Sequence, residues 1–265
     1  MSNMNFNESE LGKEYLNYCH LKKIALDTGT LDLLDINWFF PTCLLPLGVF
    51  IKEHKEINVI PPKVPDVSNY INVILKGKIN SVKKSYIPII EIPPNEKLIE
   101  KILEPFFSNQ NTYVGGPNAF RYLIGELIDN VYEHSKFSTS YLMAQRYEKM
   151  RFTEVGIIDN GISIPGSYEN KEYNFNDIEA LKEAVLKGLS TKSDERGHGL
   201  NDSLRILTKG LEGNCLIVSR SAGLIANKSN SMFYELEKAN IFRGTLISAR
   251  IPYNLGKVNI YDFIK

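Results

Sequence analysis

The sequence is poor in the residue types that mark several specialised protein classes. Its 265 residues contain only three cysteines, Cys19, Cys43 and Cys215, and this odd number at wide spacing excludes a disulfide framework and a zinc-finger pattern. Lysine and arginine total 31, and aspartate and glutamate also total 31. A general polyanion binder carries an excess of positive charge, so we expect no direct binding of nucleic acid.

Long apolar runs are also scarce. The most apolar stretch, residues 36–51, contains Pro41 and Pro46 and is shorter than the roughly 20 residues that a membrane-spanning helix needs. The first residues, MSNMNFNESELGKEY, are polar and lack the apolar core of a signal peptide. We therefore expect a cytoplasmic protein with no membrane partner.

The overall composition is that of an ordinary globular protein, with 43% hydrophobic and 23% charged residues. At roughly 150 residues per domain, the length favours two domains. In the first half, short apolar runs bounded by Gly or Pro alternate with helix-like segments, which indicates a small α/β domain. The predicted strands cover residues 22–29, 56–62 and 86–94, and the predicted helices lie within 30–55, 65–77 and 95–107.

The second half has a different pattern, which begins after a polar, Gly-rich segment at 108–117. Long helices are predicted over 116–135, 176–188 and 198–210, with Asn176 suited to cap the second. Strands are predicted over 138–147 and 151–161, joined across 148–151. Strands with hairpin turns are predicted over 215–229, 231–237 and 244–253, which gives a mixed, largely antiparallel sheet. We divide the chain into a lead-in (1–20), a first domain (21–110), a second domain (115–255) and a tail (256–265).

The helix predicted over 116–135 carries a polar stripe beside its apolar face. Glu126 and Asn130 are four residues apart, so their side chains point the same way. Taken alone, such a stripe is most simply a solvated helix surface. A carboxylate beside a carboxamide also suits a Mg²⁺–nucleotide site, with the amide oxygen as a hard ligand and the carboxylate as base.

A second pattern follows the strand predicted over 151–161, which ends in Asp159-Asn160-Gly161. Asn-Gly is a common turn pair, and a simple turn accounts for it. Alternatively, the Asp159 carboxylate accepts a hydrogen bond from an exocyclic amine, and Gly161 allows a base to approach closely.

A third pattern lies at residues 188–204, where Gly197, Gly199 and Leu200 stand at the start of a predicted helix. Backbone N–H groups at such a start can face an anion, and Lys192 and Arg196 add positive charge nearby. Glycines before a helix are also common without any ligand. The pair Gly244-Thr245, at the start of the last predicted strand, carries no information by itself.

Taken in order, these patterns resemble the N, G1, G2 and G3 boxes of the GHKL ATPases over residues 115–253. The local sequence is most similar to the anti-sigma-factor serine kinases of that superfamily, in the segments ELIDNVYEHS, DNGISIP and STK…RGHGL. The resemblance implies a Bergerat α/β sandwich that binds ATP and Mg²⁺. It implies roles for eight residues: Glu126 as general base, Asn130 as Mg²⁺ ligand, Asp159 as partner of the adenine amino group, Gly161 in the base pocket, Gly197, Gly199 and Leu200 at the lid and phosphates, and Thr245 supporting the adenine site. With Lys192 as a nearby cation, these form the predicted site.

Three further expectations accompany this resemblance. Ser163 stands where the G1 pattern usually has its second glycine, and because serine is small we expect the loop to keep its shape. Residues 25–35, the LLPLGVFIK segment at 44–52 and PDVSNYI at 65–71 resemble, more faintly, a STAS-like domain, while an unrelated α/β domain stays an alternative. Since only about a dozen residues follow Pro252, we expect no gyrase-like machine. Since neither His20 nor His54 lies on a long helical hairpin, we expect no sensor histidine kinase.

The predicted function is phosphoryl transfer from ATP to a protein hydroxyl, as in a serine/threonine kinase, in a cytoplasmic regulatory protein. Two alternatives stay open, an ATPase switch that gates a partner or a dimer and a non-catalytic nucleotide-sensing module in a stress or defence assembly. We expect ATP and a regulatory protein as partners and allow for a homodimer. We also expect the loop 163–197 to close over the phosphates.

Overall fold

The computed structural model describes residues 5–76, 86–107, 114–187, 199–253 and 256–264. The fold is mixed α/β, with a large antiparallel sheet and helices on both of its faces. The α-helices are α1 (Glu10–Thr28), α2 (Pro41–Glu53), α3 (Pro65–Lys76), α4 (Ile99–Phe107), α5 (Pro117–Asn130), α6 (Ser163–Glu169), α7 (Asp177–Lys182) and α8 (Gly199–Arg205). Short 3₁₀ helices cover Phe6–Glu8, Glu96–Leu98, Lys238–Asn240 and Ile260–Asp262.

The strands are β1 (Thr30–Asp32), β2 (Asn58–Ile60), β3 (Tyr86–Glu91), β4 (Ser140–Tyr147), β5 (Phe152–Asp159), β6 (Asn214–Arg220), β7 (Ala222–Ala226), β8 (Ser231–Glu235) and β9 (Phe242–Pro252). β1 and β2 form a small parallel pair. The other seven form one sheet in the order β3-β4-β5-β9-β6-β7-β8, and every neighbouring pair is antiparallel. The expectation of a largely antiparallel sheet is confirmed, but the expectation that this sheet is mixed is wrong, because its described strands form no parallel pair.

Each face of the large sheet has its own hydrophobic core. Side chains alternate between the faces along each strand, so Ile157 and Ile158 of β5 belong to different cores. The core under α1, α2 and α3 includes Tyr141, Met143, Ile158, Leu216, Val218 and Leu246 of the sheet. The core under α5 and α8 includes Leu142, Ala144, Val155, Ile157, Ile217 and Ile247. We name the first of these the α2 face and the second the α5 face.

The helix α2 lies along β5 on the α2 face. At its start, the carboxylate of Glu154, which is fully buried, accepts hydrogen bonds from the Thr42 N–H (3.0 Å) and the Thr42 Oγ1 (2.7 Å). Arg250 Nε donates to the same carboxylate over 2.6 Å. Farther along, a Cβ on Gly156 would lie 2.7 Å from Leu45 Cδ1, so the missing side chain allows the helix to approach the strand closely. The carboxylate thus satisfies a free N–H at the helix start.

The first and second halves of the chain share this sheet. β3, from the predicted first domain, pairs with β4, from the predicted second domain, with Ile87 opposite Ala144. The core of the α2 face likewise combines residues from both halves, such as Leu45 and Leu246. Residues 108–113 of the predicted boundary lie outside the described residues. The STAS-like assignment of residues 21–110 stays a prediction.

Two predictions of local structure are wrong. Residues 22–29, predicted as a buried strand, belong to α1 and its cap: Gly29 adopts a φ of 72° and its N–H donates to the Ala25 carbonyl, which is a helix C-terminal cap. The segment after Gly161, predicted as the start of a loop, forms the helix α6 at once. The helices predicted over 65–77, 95–107, 116–135 and 176–188 and the strands predicted over 56–62 and 86–94 are confirmed within a few residues.

Across the described ranges, the structure contains no helix that is both long and apolar enough to cross a bilayer.

Candidate functional site

A cavity of about 260 Å³ lies between α5 and the sheet, on the α5 face. Its floor comes from β5 and β9, one wall from α5 and the turn after it, and the other walls from α6 and the start of α8. The apolar lining consists of Leu127, Val131, Ile157, Ile164, Tyr168, Ala184, Leu200 and Ile247. The volume is close to the lower end of the roughly 300–1,000 Å³ that is usual for small-molecule sites.

The Asp159 carboxyl lies at the floor of the cavity, at the end of β5. It is 4% exposed, and burial raises its pKa to about 7, although the N–H of Gly161 donates to Oδ1 over 2.8 Å and opposes that rise. In the sheet Asp159 stands opposite Thr245 of β9. A Cβ on Gly244 would lie only 1.8 Å from the Asp159 carbonyl oxygen, so the two strands meet closely at this point.

The Thr245 hydroxyl belongs to a short chain of polar contacts at the floor. Its Oγ1 lies 3.0 Å from Ser219 Oγ of β6, which donates to the Gly244 carbonyl over 3.2 Å. Ser219 Oγ also accepts from the N–H of Ile164, at the start of α6, over 2.9 Å. The floor therefore ties β9 to β6 and to the beginning of α6.

The wall formed by α5 carries Glu126 and Asn130. The Asn130 side-chain amide donates through Nδ2 to the Glu126 carbonyl over 2.7 Å, which leaves its oxygen as the atom that can accept from or ligate a guest. Glu126 is partly buried, and burial raises the pKa of its carboxyl, with Asp129 and Asp202 adding to the rise and a hydrogen bond from Tyr122 opposing it. A partly buried carboxylate with a raised pKa is better suited to accept a proton.

The start of α8 approaches the same wall. A Cβ on Gly199 would lie 2.9 Å from Glu126 Oε2 and 3.8 Å from Asn130 Nδ2. A side chain at this position would first meet the carboxylate end of the flexible Glu126 side chain and would displace it. Leu200 contributes to the apolar lining.

The turn between β5 and α6 shapes the floor from below. Gly161 does not line the cavity but lines a neighbouring polar cleft, and it acts on the cavity through its N–H bond to Asp159. A Cβ on Gly161 would lie 1.9 Å from the Ser135 carbonyl oxygen. Ser163 has a φ of 75°, in the left-handed region that favours glycine. The backbone therefore keeps a glycine-like shape at the position where this chain departs from the G1 pattern.

A π-helical turn, Val131–Ser135, follows α5 at the cavity. Such turns widen the helix and are frequent at functional sites. Here the turn brings the Ser135 carbonyl to the N–H of Ile162, which donates to it over 2.7 Å. The end of α5 and the turn after β5 are thereby held against each other.

The predicted site residues are thus brought together in part. Glu126, Asn130, Asp159, Gly199, Leu200 and Thr245 all line the cavity, although they come from four separate segments of the chain. Lys192 and Gly197 lie outside the described residues, as do Arg196 and His198. The described lining contains four carboxylates (Glu126, Asp129, Glu133 and Asp159) and no lysine or arginine, and His134 Nε2 lies 3.8 Å from Glu133 Oε2. In the described part of the chain no group of three His, Cys, Asp or Glu side chains is arranged to hold a metal.

Three contributors to the site were not predicted from the sequence. Tyr122 lies one helical turn before Glu126, and that i, i+4 spacing could have indicated the contact. Ser219 comes from β6 and reaches Thr245 only because β6 and β9 are neighbours. Tyr168 lines the cavity from α6, where no helix was predicted.

Comparisons with protein-family models, with curated proteins and with solved structures found no match to this chain.

Proposed function

We propose that this chain is a GHKL-type protein that binds ATP together with Mg²⁺ and transfers the γ-phosphoryl group to a protein hydroxyl. The observation that carries the proposal is the convergence of the four patterns on one cavity. Glu126 and Asn130, Asp159, Gly199 and Leu200, and Thr245 are far apart in sequence but line the same space. If the four patterns were unrelated surface features, we would expect their residues to lie at separate places on the structure.

The floor of the cavity suits the adenine base. A flat, largely apolar ring with an exocyclic amine would pack between Ile157 and Leu200 and donate from its amine to the Asp159 carboxyl. Thr245, hydrogen-bonded to Ser219, would support the same edge. A buried carboxyl without a charged partner in the described lining gains most from a ligand that supplies such a donor.

The α5 wall suits the phosphates only when a cation accompanies them, because its carboxylates would otherwise repel a triphosphate. Asn130 would supply one hard oxygen, since its Nδ2 is held by the Glu126 carbonyl. Mg²⁺ usually keeps several waters and phosphate oxygens and takes one or two protein ligands, so these residues fit it without a three-residue cluster. When bound, Mg²⁺ would neutralise charge on the phosphates.

Glu126 would act as the base. Its carboxylate takes the proton of the acceptor hydroxyl while the hydroxyl oxygen bonds to the γ-phosphorus. The bond from the γ-phosphorus to the β–γ bridging oxygen breaks, and ADP leaves with that electron pair. The raised pKa of Glu126 favours proton uptake, and the remaining rate gain comes from positioning and charge stabilisation.

The first test is titration calorimetry of the full chain with MgATP. We expect binding by the wild type and a loss of about ten-fold or more in Asp159→Asn, because the variant places an amide donor against the ligand's amine. Asp35→Asn is a matched control, since Asp35 lies on the surface in an ion pair with Lys63. Absence of wild-type binding, or unchanged binding in Asp159→Asn, would contradict the proposal.

A second test separates transfer to protein from hydrolysis. The chain is incubated with γ-labelled ATP and candidate partner proteins. Label on a serine or threonine of a partner supports the proposed kinase, whereas free phosphate alone indicates an ATPase switch. Unchanged ATP indicates a nucleotide sensor, and in that case Glu126 has no role as a base.

A further inference from the structure

Asn160, which stands between Asp159 and Gly161, makes hydrogen bonds to two other segments of the chain. Its Oδ1 accepts from the N–H groups of Ser138 (3.0 Å) and Thr139 (2.8 Å). Its Nδ2 donates to Glu53 Oε1 over 2.8 Å, and its backbone N–H donates to the Thr139 carbonyl over 3.0 Å. One side chain therefore joins the start of β4, the turn after β5 and the last residue of α2.

The two neighbouring side chains lie on opposite faces of the sheet. Along β5, Ile157 and Asp159 face the α5 side, where Asp159 enters the cavity. Ile158 faces the α2 side, and Asn160 continues that alternation and reaches Glu53 at the end of α2. Asn160 is thus the point at which the α2 face contacts the turn that carries Asp159.

α2 is held at both ends along β5. Thr42, near its start, is bound to Glu154, and Glu53, its last residue, is bound to Asn160. Eleven helical residues at 1.5 Å rise by about 16 Å, and six strand residues at about 3.3 Å cover about 20 Å, so the helix runs beside most of the strand. α2 is also buried over most of its length.

We propose that Asn160 is a positioning residue for the cavity. It holds the turn after β5 against the end of α2, so that Glu53, on the first half of the chain, contributes to ligand affinity. Asn160 does not touch the cavity; it acts through Asp159 and Gly161. The inference rests on the proposed function for its ligand, MgATP. The hold of Asn160 on the turn does not depend on a ligand.

The closing experiment exchanges donor and acceptor across this contact in the full chain. Asn160→Asp keeps an oxygen for Ser138 and Thr139 but turns a second oxygen toward Glu53, so we expect MgATP affinity to fall about ten-fold. Glu53→Gln keeps an acceptor for Asn160, and its affinity should stay within about two-fold. In the double variant the side-chain amide introduced at position 53 can donate to the new carboxylate at position 160, and we expect most of the affinity to return.

Lys52→Gln is the matched control. Lys52 lines the same cleft next to Glu53 but pairs with Glu91, so its removal should leave affinity unchanged. A merely structural role would lower affinity in proportion to the free energy of unfolding, measured by urea denaturation, whereas a positioning role lowers affinity with little change in that free energy. Unchanged affinity in Asn160→Asp, or a double variant as weak as Asn160→Asp alone, would overturn the proposal.

Amide hydrogen exchange at Gly161 and Ile162 supplies a readout without ligand. In the wild type these N–H groups donate to Asp159 and to the Ser135 carbonyl. Faster exchange in Asn160→Asp, restored in the double variant, is expected, and equal exchange in all variants would overturn the inference. If the wild type binds no MgATP, the proposed function fails and the exchange data alone decide the role of Asn160.

Discussion

The two faces of the large sheet treat polar groups differently. On the α2 face, the buried carboxylate of Glu154 is matched by Arg250, by Thr42 and by the start of α2. Arg250 itself lies over the rings of Phe40 and Phe152, with ring centroids at 4.5 and 4.8 Å from its guanidinium carbon. Every charge in this group has a partner of opposite sign or a π face.

On the α5 face, the Asp159 carboxyl is equally buried but receives only the Gly161 N–H in the described residues, and its pKa rises to about 7. Burial also raises the pKa of Glu126, and the neighbouring carboxylates add to that rise. We call the α2 face, where Glu154 has the cation Arg250 beside it, the sealed face, and the α5 face, where Asp159 has no cationic partner among the described residues, the open face. Unmatched buried carboxyls cost stability, and such costs are concentrated at binding sites.

The sharpest way to break this contrast is to remove a partner on the sealed face. Arg250→Ala leaves the Glu154 carboxylate buried without its cation, and we expect a loss of about 3–5 kcal/mol in the free energy of unfolding. Urea denaturation of the wild type and the variant measures this loss. Lys13→Ala removes an exposed pair with Glu10 and should cost less than about 1 kcal/mol. Equal losses in the two variants would remove the distinction.

The open face should show its unmatched charge in the pH dependence of stability. The pKa of Asp159 is about 7 in the folded chain and near 3.8 when unfolded, so the folded state binds more protons in between. The free energy of unfolding should therefore fall by up to about 1.4 kcal/mol per pH unit from about pH 4 to pH 7.

Asp159→Asn tests the source of that slope, because an amide does not titrate. Urea midpoints measured across the same pH range should lose the component that the wild type shows, after other titrating groups cancel in the difference. A wild-type and variant difference that does not change with pH would mean that Asp159 is ionised like an exposed carboxyl.

The next largest effect on stability is expected at Gly161, beneath the cavity, where the backbone lies close to Ser135. Gly161→Ala forces a Cβ toward the Ser135 carbonyl, and we expect a loss of about 1–3 kcal/mol in stability together with weaker MgATP binding. Gly125→Ala, in α5 with open space around it, should instead gain about 0.5–1 kcal/mol. Thermal unfolding measures the change in stability of both variants. A Gly161→Ala variant as stable as the wild type would mean that the turn is not tightly packed.

The smallest effect concerns Ser163 and its φ of 75°. Ser163→Ala and Ser163→Gly both lose the side-chain oxygen that accepts from Gly166, but only glycine is relaxed at this φ. The glycine variant should therefore be more stable than the alanine variant by about 1 kcal/mol, the reverse of the order expected at Gly125. The same order at both positions would show that Ser163 is not strained.

The sequence predicted most elements because their signals are local. Asn176 caps α7 as expected, since its Oδ1 accepts from the Glu179 N–H over 2.9 Å. The prediction of a strand over 22–29 was wrong because the stretch of sequence considered was too short. Leu11, Tyr15 and Cys19 continue a helical spacing into it, and a closing glycine suits a helix end as well as a strand end.

The site was predictable only to the extent that motifs were recognisable. The spacing of Glu126 and Asn130 placed both on one helical face without further knowledge. That Thr245 stands opposite Asp159 depends on β9 lying beside β5, which composition and periodicity do not specify. The contact of Asn160 with Glu53 spans more than a hundred positions, and no local signal predicts it.

The position of β9 has a consequence for how the chain reaches this structure. It is the last of the described strands in sequence, yet it lies in the middle of the sheet, between β5 and β6. The β4–β5 and β6–β7 hairpins can each form early from neighbouring residues, but only β9 joins them, and such distant pairings form slowly. The floor of the cavity, where Asp159, Thr245 and Ser219 meet, therefore exists only after that central strand has been inserted. A ligand of this cavity would report the final stage of folding.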